Sequence, residues 1–315
     1  MYSAVFKMTP YIYNNDYHTF EVFNLAIQYD LPENIQNMLD ERKLTSSQAF
    51  SELIKTGDYV PPYPELLIDA VTALSMGKNI LLKGPTGTGK TKFAETLSHL
   101  FNQPMFSINS SVDLDAESLM GFKTLVYEDN KQMIDFIPGP VTNAMKNGTF
   151  LYIDEINMAK PETLPLINGV LDYRRTITNP LTNEMIIAEE GFNVIAAINE
   201  GYIGTVPLNE ALKNRFIVIE VPYIQDEQLK SLIQSNTKLT NESKIDLFVT
   251  LSSDLIQAVQ QGKMSEDAAS IRALLDACDL SVFIPPKRAI QRAIVDKLEE
   301  EREKEFVENL AETLF

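Results

Sequence analysis

Three glycines, a lysine and hydroxyl side chains lie together in the segment Gly84-Pro85-Thr86-Gly87-Thr88-Gly89-Lys90-Thr91. Glycines permit a tight turn whose main-chain N–H groups approach oxyanions closely, and the lysine can reach the β- and γ-phosphates of a nucleotide. An apolar run at residues 79–83 precedes the segment, and a helical apolar stripe begins at Phe93. This succession of strand, loop and helix predicts a phosphate-binding loop for ATP, in which the Thr91 hydroxyl is a ligand of Mg²⁺.

Two adjacent carboxylates, Asp154 and Glu155, follow the mostly apolar run at residues 149–153, which is predicted to be a buried strand. Ligands of open α/β sheets bind at the carboxyl ends of the strands, so we expect this pair beside the phosphate loop. In a nucleotide site Asp154 would hold Mg²⁺ and Glu155 would polarise the attacking water. Two solvated acids at a strand end are the alternative, but the phosphate loop upstream favours the functional interpretation.

Two further polar side chains end predicted elements. Asn199 ends a buried strand at residues 192–199, and we expect it near the γ-phosphate, orienting water; a capping asparagine is the alternative. Arg215 ends a helix at residues 208–215 and, from the residues alone, is a surface arginine. Residues 176–178 and 185–187 are predicted to form a β-hairpin before the strand that carries Asn199.

The charge balance limits the classes of partner. With 27 basic and 44 acidic residues among 315, the chain has a net charge of −17, which disfavours broad nucleic-acid binding and would repel anionic membrane surfaces. The single cysteine, Cys278, lies on an apolar helical stripe and is expected to be a buried thiol, and two histidines are too few for a His/Cys zinc site. No stretch is typical of a transmembrane span or a signal peptide, so we expect a cytoplasmic protein without membrane insertion.

Composition and periodicity divide the chain into three predicted regions. Residues 1–60 form a small N-terminal accessory region with short strands near residues 11–13 and 20–23, and a proline cluster at residues 61–64 ends it. Residues 61–222 are predicted to be an α/β nucleotide-binding domain with a parallel sheet. Residues 223–315 have helical spacing and are predicted to be a helical bundle, in which the acidic run at residues 299–305 is a solvated face.

The order of these segments resembles the AAA+ ATPases, and more narrowly their MoxR-type and dynein-related branch near the CbbQ, NorQ and GvpN group. The resemblance covers about residues 60–300. The residues that carry it, besides the phosphate loop, are Gly139-Pro140, Asp154-Glu155-Ile156-Asn157, Leu171-Asp172-Tyr173-Arg174-Arg175 and Asn199-Glu200-Gly201-Tyr202-Ile203-Gly204.

The resemblance implies a P-loop AAA+ core with a C-terminal all-helical lid, and it implies further site residues. Asn199 is similar to sensor 1, and Arg215 is similar to the arginine finger that reaches the nucleotide of a neighbouring subunit. Arg272, in Ser270-Ile271-Arg272, resembles the sensor 2 arginine, with Arg288 as the competing candidate. Asn109 corresponds to a polar switch residue that can hold the catalytic glutamate away from water.

The resemblance also implies partners. It suggests a ring-shaped homo-oligomer, expected to be a hexamer, that remodels or activates a protein client in a chaperone-like manner. The implied client carries a von Willebrand factor A domain, and the implied task is metallocofactor insertion or enzyme activation. Hairpins near residues 121–136 and 173–190 are expected to face partners or a central pore. A nucleotide-gated scaffold with little turnover and a DNA-dependent motor are the alternatives.

Overall fold

The computed structural model describes residues 31–45, 49–110, 115–128, 131–160, 162–199 and 208–315. The α-helices in these ranges are α1 (Glu33–Thr45), α2 (Pro64–Ser75), α3 (Lys90–Leu100), α4 (Ala116–Met120), α5 (Pro140–Asn147), α6 (Leu164–Leu171), α7 (Glu210–Lys213), α8 (Asp226–Asn236), α9 (Glu242–Gln260), α10 (Ile271–Leu280), α11 (Pro286–Ala293) and α12 (Glu301–Leu314). The strands are β1 (Ile80–Gly84), β2 (Met105–Asn109), β3 (Gly121–Glu128), β4 (Lys131–Pro138), β5 (Phe150–Asp154), β6 (Thr176–Thr178), β7 (Met185–Ile187), β8 (Asn193–Asn199) and β9 (Ile217–Glu220).

A five-stranded parallel sheet forms the centre of the first half of the structure, in the order β2–β5–β8–β1–β9. Its three inner strands are almost entirely buried, because helices cover both faces and the residues are apolar on both sides of each strand. Alternate residues therefore belong to two separate cores: Ile80 and Leu82 face one, and Leu81 faces the other. This parallel α/β architecture with C-terminal helices confirms the predicted fold class.

Helices α1, α2 and α3 cover one face of the sheet, and α4, α5 and α6 cover the other. The carboxyl ends of β1, β5 and β8 lie in register, since Gly84 pairs with Asn199 and Ile153 pairs with Ala196. The carboxyl edge of the sheet consequently brings together the ends of segments that are far apart in sequence.

Residues 226–315 are helical and enclose a third apolar core, which includes Leu229, Phe248, Leu274 and Val307. The prediction that the acidic run at residues 299–305 is a solvated face is wrong for one residue, because Glu303 is only 7% exposed. Its carboxylate accepts hydrogen bonds from the N–H (2.5 Å) and the hydroxyl (2.8 Å) of Ser265. The buried glutamate thus fastens α12 to the turn before a short 3₁₀ helix, Glu266–Ala269.

Helix α1 packs into the core of the sheet domain. Ile35 and Leu39 are buried in the same cluster as α2 and β1, and so is Tyr59. The boundary predicted near residue 61 stays a prediction, and the predicted strands near residues 11–13 and 20–23 lie outside the described residues.

Two arginines donate hydrogen bonds to main-chain carbonyl groups at the amino edge of the sheet. Arg42 of α1 donates to the carbonyl oxygens of Leu74 (3.3 Å) and Gly191 (3.1 Å). Arg175 donates to the carbonyl oxygen of Phe192 at 2.8 Å and to that of Gly77. Burial and the neighbouring charge of Arg175 lower the pKa of Arg42. These bonds join α1 and the segment before β6 to the main chain that precedes β1 and β8.

Two antiparallel hairpins, β3–β4 and β6–β7, stand apart from the sheet. The first begins at Gly121, directly after α4, and ends at Pro138, just before α5. Both hairpins correspond to the predicted insertions. Among the residues that the structure describes, no helix is long and apolar enough to cross a membrane.

Candidate nucleotide site

The phosphate loop connects β1 to α3 as predicted, with Gly84 at the end of the strand and Lys90 at the start of the helix. Gly87 has φ +82° and its Cα faces the C-terminal helical region, residues 226–315, which is called the lid below: a Cβ on Gly87 would lie 2.9 Å from the Cα of Ser270. A side chain at Gly87 would therefore meet both an unfavourable backbone conformation and a clash with the lid.

Lys90 is buried, at 6% exposure, beneath its own loop. Its ammonium group donates to the carbonyl oxygens of Gly84 (2.9 Å) and Pro85 (2.7 Å). These bonds stabilise a charged group that would otherwise be costly to bury. The lysine therefore lies against the strand-to-loop junction.

The carboxylate of Asp154 lies next to the start of α3. The Thr91 hydroxyl donates to Asp154 Oδ2 at 3.3 Å, and the main-chain N–H of Glu155 donates to Asp154 Oδ1 at 3.0 Å. A hydroxyl and a carboxylate are hard oxygen donors, which suit Mg²⁺, an ion that keeps several waters and completes its shell with substrate phosphates. Thr91 and Asp154 thus offer oxygen donors that fit a metal shared with a phosphate ligand. No cluster of three or more His, Cys, Asp or Glu side chains suited to a metal occurs in the described ranges.

Glu155 adopts a left-handed backbone conformation, with φ +50°, directly after β5. Its carboxylate accepts a hydrogen bond from Asn199 Nδ2 at 3.1 Å. Asn199 ends β8, the strand beside β5, so parallel pairing brings the two predicted residues together. Asn109 ends β2 on the other side of β5, in register with Asp154.

Tyr152 is a site residue that sequence reasoning missed. Its hydroxyl lies 3.2 Å from the Thr91 hydroxyl, and burial, followed by the charge of Asp154, raises its pKa. Tyr152 precedes Asp154 by two positions, so strand alternation places both side chains on the face that α3 covers. This alternation of side chains along a strand is the sequence pattern from which Tyr152 could have been predicted as a site residue.

A cavity of about 600 Å³ lies between the sheet domain and the lid. The phosphate loop, Asp154, Glu155 and Asn199 line it from the sheet side, and Arg272 lines it from the lid. The side toward the lid also includes the apolar residues Val60, Ile224 and Leu275. Arg288 does not line this cavity, so the geometry favours Arg272 of the two sensor 2 candidates.

Arg215 does not lie among the residues that line this cavity. It follows α7 and precedes β9, at the amino edge of the sheet, where it lines a separate cavity of about 610 Å³. Its guanidinium donates to the carbonyl oxygen of Ala211 and lies 4.0 Å from the carboxylate of Asp172. Asp172 also binds Arg174 at 2.8 Å, and the hydrogen bonds from Arg174 are the main cause that lowers the pKa of Asp172. Residues 200–204, which belong to the quoted resemblance, lie outside the described residues.

The comparisons with known proteins agree with this fold and site. A family model for the AAA domain of the dynein-related subfamily matches residues 79–216, which span the phosphate loop, the acid pair, Asn199 and Arg215. The chain belongs to the AAA-type ATPases, a family that binds nucleotides.

Within that class, the chain belongs to the family of a protein from Bacillus subtilis (strain 168) named uncharacterized protein YojN. The two are 60% identical over 286 residues, which cover 90% of this chain and 94% of that protein. An uncharacterized protein from Staphylococcus epidermidis is also 60% identical, over 248 residues that cover 78% of this chain and 94% of that protein. Among solved structures, a variant of RuvB from Thermotoga maritima has a TM-score of 0.48 at 17% identity, covering 81% of this chain and 71% of that chain.

Proposed function

We propose that the protein is a MoxR-type ATP hydrolase that couples ATP binding and hydrolysis to the remodelling or activation of a protein client. The observation that carries this proposal is the continuous series of contacts from Thr91 through Asp154 and Glu155 to Asn199, at the wall of the cavity that also contains Lys90. Phosphoryl transfer depends on positioning and on electrostatic stabilisation, and this arrangement offers both.

Each residue has a separate proposed role. The main-chain N–H groups of residues 87–91 and the Lys90 ammonium bind the phosphates, and Thr91 and Asp154 would hold Mg²⁺, which would neutralise charge on the transferred phosphoryl group. Glu155 accepts the proton of the attacking water, and Asn199 orients that carboxylate and the water. Arg272 stabilises negative charge from the lid side. The apolar residues of the cavity near Val60 and Leu275 suit the nucleoside.

We propose that the β3–β4 hairpin faces the client. Large apolar side chains on this two-stranded element are strongly exposed, including Tyr127 (77%), Ile134 (70%) and Leu125 (56%). A lone hairpin is only marginally stable in water, and exposed apolar surface of this kind marks interaction sites. The resemblance adds a hexameric ring, a client with a von Willebrand factor A domain, and metallocofactor insertion or enzyme activation as the task.

The test separates nucleotide binding from hydrolysis. We expect Lys90→Ala to abolish ATP binding, because the loop loses its buried cation. We expect Glu155→Gln to bind ATP and to hydrolyse it about 10²–10⁴-fold more slowly, the range for the loss of a general base. Binding is measured with a fluorescent ATP analogue, and turnover by steady-state phosphate release.

Glu117→Gln is the matched control, because this exposed glutamate at the start of α4 lies outside the cavity. It should bind and hydrolyse ATP as the wild type does. Wild-type turnover by Glu155→Gln would contradict the proposed role of Glu155. ATP binding without measurable phosphate release by the wild type would instead indicate a nucleotide-gated scaffold, and stimulation by DNA would indicate a DNA-dependent motor.

A further inference from the structure

The lid touches the phosphate loop at two points. The Glu266 carboxylate accepts a hydrogen bond from the main-chain N–H of Thr86 at 2.8 Å, across 180 positions of sequence. Ser270 packs over Gly87, where a Cβ would lie 2.9 Å from the Cα and 3.0 Å from the hydroxyl of the serine. A loop built to bind phosphate thus gives one of its N–H groups to a side chain of the lid.

The Glu266 carboxylate binds the loop from outside the cavity. Thr86, Gly87, Ser270 and Arg272 all line the cavity, whereas Glu266 does not. The carboxylate therefore does not occupy the space between the loop and the acid pair.

Glu266 is itself held firmly within the lid. It begins the 3₁₀ helix Glu266–Ala269, and the residue before it, Ser265, is bound through its N–H and hydroxyl to the buried carboxylate of Glu303. Ser270, which has an extended backbone, joins this short helix directly to α10, whose second residue is Arg272. The segment 265–272 is thus bound to α12 through Ser265 and to the phosphate loop through Glu266. It ends at Arg272, which lines the cavity.

We propose that Glu266 is a positioning residue that holds Arg272 over the phosphate loop by binding the N–H of Thr86. The role at the cavity rests on the proposed function of ATP hydrolysis. A charge-assisted bond from a carboxylate to an N–H is among the stronger hydrogen bonds of proteins. Without this bond, the start of α10 is free to move away from the phosphate loop. Arg272, the second residue of α10, then moves with it.

Hydrogen exchange in the full-length protein tests the contact itself. In Glu266→Ala, we expect faster exchange at the Thr86 amide and across residues 270–274, and Glu266→Gln, which keeps an acceptor oxygen, should fall between this variant and the wild type. Asp267→Asn is the matched control, because this neighbouring carboxylate is exposed and makes no hydrogen bond to the loop among the described residues. Unchanged exchange at Thr86 in both Glu266 variants would overturn the proposal.

A double-mutant cycle tests whether the effect passes through Arg272. We expect Glu266→Ala to lower kcat about tenfold, in keeping with the loss of one charged hydrogen bond, and Arg272→Ala to lower it at least as much. In the Arg272→Ala background, Glu266→Ala should have little further effect, whereas independent multiplication of the two losses would overturn the proposal. If Glu266→Ala does not fold, Glu266→Gln takes its place in the cycle. A wild type without ATP turnover would contradict the proposed function, and hydrogen exchange would still decide whether the contact positions residues 270–274.

Discussion

At the scale of single residues, the backbone of Glu155 is the most unusual feature of the site. A φ of +50° is uncommon for a residue with a side chain, and such conformations persist where the surrounding structure holds them. Here the N–H of Glu155 is bound to Asp154, and its carboxylate is bound to Asn199. The two bonds fix both ends of the residue and aim its carboxylate at the cavity.

Cys278 allows a prediction at the same scale. Burial, with the charge of Asp279 as a lesser cause, raises the pKa of this thiol to about 12 from an ordinary value of 9.0. Because the thiolate is the reactive form, we expect the native protein to resist labelling by DTNB near about pH 8 and to react fully in guanidinium chloride. Absorbance of the released thiolate measures the reaction, and rapid labelling of the native protein would contradict a buried thiol.

The raised pKa of Cys278 also predicts how the free energy of unfolding changes with pH. The folded-state pKa lies above the value of the exposed thiol, so the folded state favours the neutral form. The stability that this group contributes is fully present below pH 9.0 and is lost as the pH rises toward about 12. The free energy of unfolding should therefore fall in this range more steeply for the wild type than for Cys278→Ala.

The sequence could predict the convergence of residues at the carboxyl edge, because parallel strands end together. Gly84 and Asn199 are in register, and Glu155 follows the strand between β2 and β8. The bond between Glu266 and Thr86 could not be predicted, because its partners lie 180 positions apart, one in the C-terminal helical region and the other in the phosphate loop. The buried Glu303 was misassigned as solvated, because an acidic helical run gives no sign of which carboxylate turns inward.

At the scale of elements, α1 contributes apolar side chains to the core of the sheet domain. The sequence indicates an accessory region, yet Leu39 is only 1% exposed in the core below α2. We expect Leu39→Ala to reduce the free energy of unfolding by about 2–5 kcal/mol, the usual cost of such a truncation in a core. Thermal and denaturant unfolding measure the change.

Asp40→Ala is the control on the same helix, because Asp40 is exposed and surface substitutions usually change stability by less than about 0.5 kcal/mol. A deletion of residues 1–30 should keep the basal ATPase, while a deletion through residue 45 should lose stability together with α1. Equal stability of Leu39→Ala and the wild type would show that α1 does not contribute to the core.

At the scale of the whole molecule, the two ends of the sheet carry different chemistry. The phosphate loop lies at the carboxyl edge, and Arg215 lies at the amino edge. We expect Arg215 to serve the nucleotide of another subunit, because it lies at the edge of the sheet opposite its own phosphate loop, and its planar, permanently charged group is suited to that task. We expect Arg215→Ala to lower ATP turnover by roughly 10³–10⁵-fold, while Lys213→Ala, a change of an exposed residue two positions earlier at the end of α7, should not.

Mixed assemblies test the location of this arginine. Lys90→Ala subunits lack a working loop but present Arg215, and Arg215→Ala subunits bind ATP but lack the arginine. Mixtures should regain part of the activity, because some interfaces combine an intact loop with an intact arginine. Subunit exchange is verified with an affinity tag, and mixtures that exchange but remain inactive at every ratio would indicate that Arg215 acts within its own subunit or is structural.

The hydrogen bonds of Arg42 and Arg175 at the amino edge predict which positions can change residue type among relatives. Arg42 and Arg175 bind main-chain oxygens of Leu74, Gly77, Gly191 and Phe192, so the side chains at these acceptor positions take no part in the bonds. A change of residue type at position 74 or 192 leaves its carbonyl in place, and no compensating change in the arginine is required. Relatives should therefore vary in residue type at positions 74 and 192 and still keep Arg42 and Arg175, which tie helix α1 and the segment before β6 to the sheet. Asn193, whose side-chain oxygen also accepts a hydrogen bond from Arg42 at 3.4 Å, is the position that we expect to change together with Arg42.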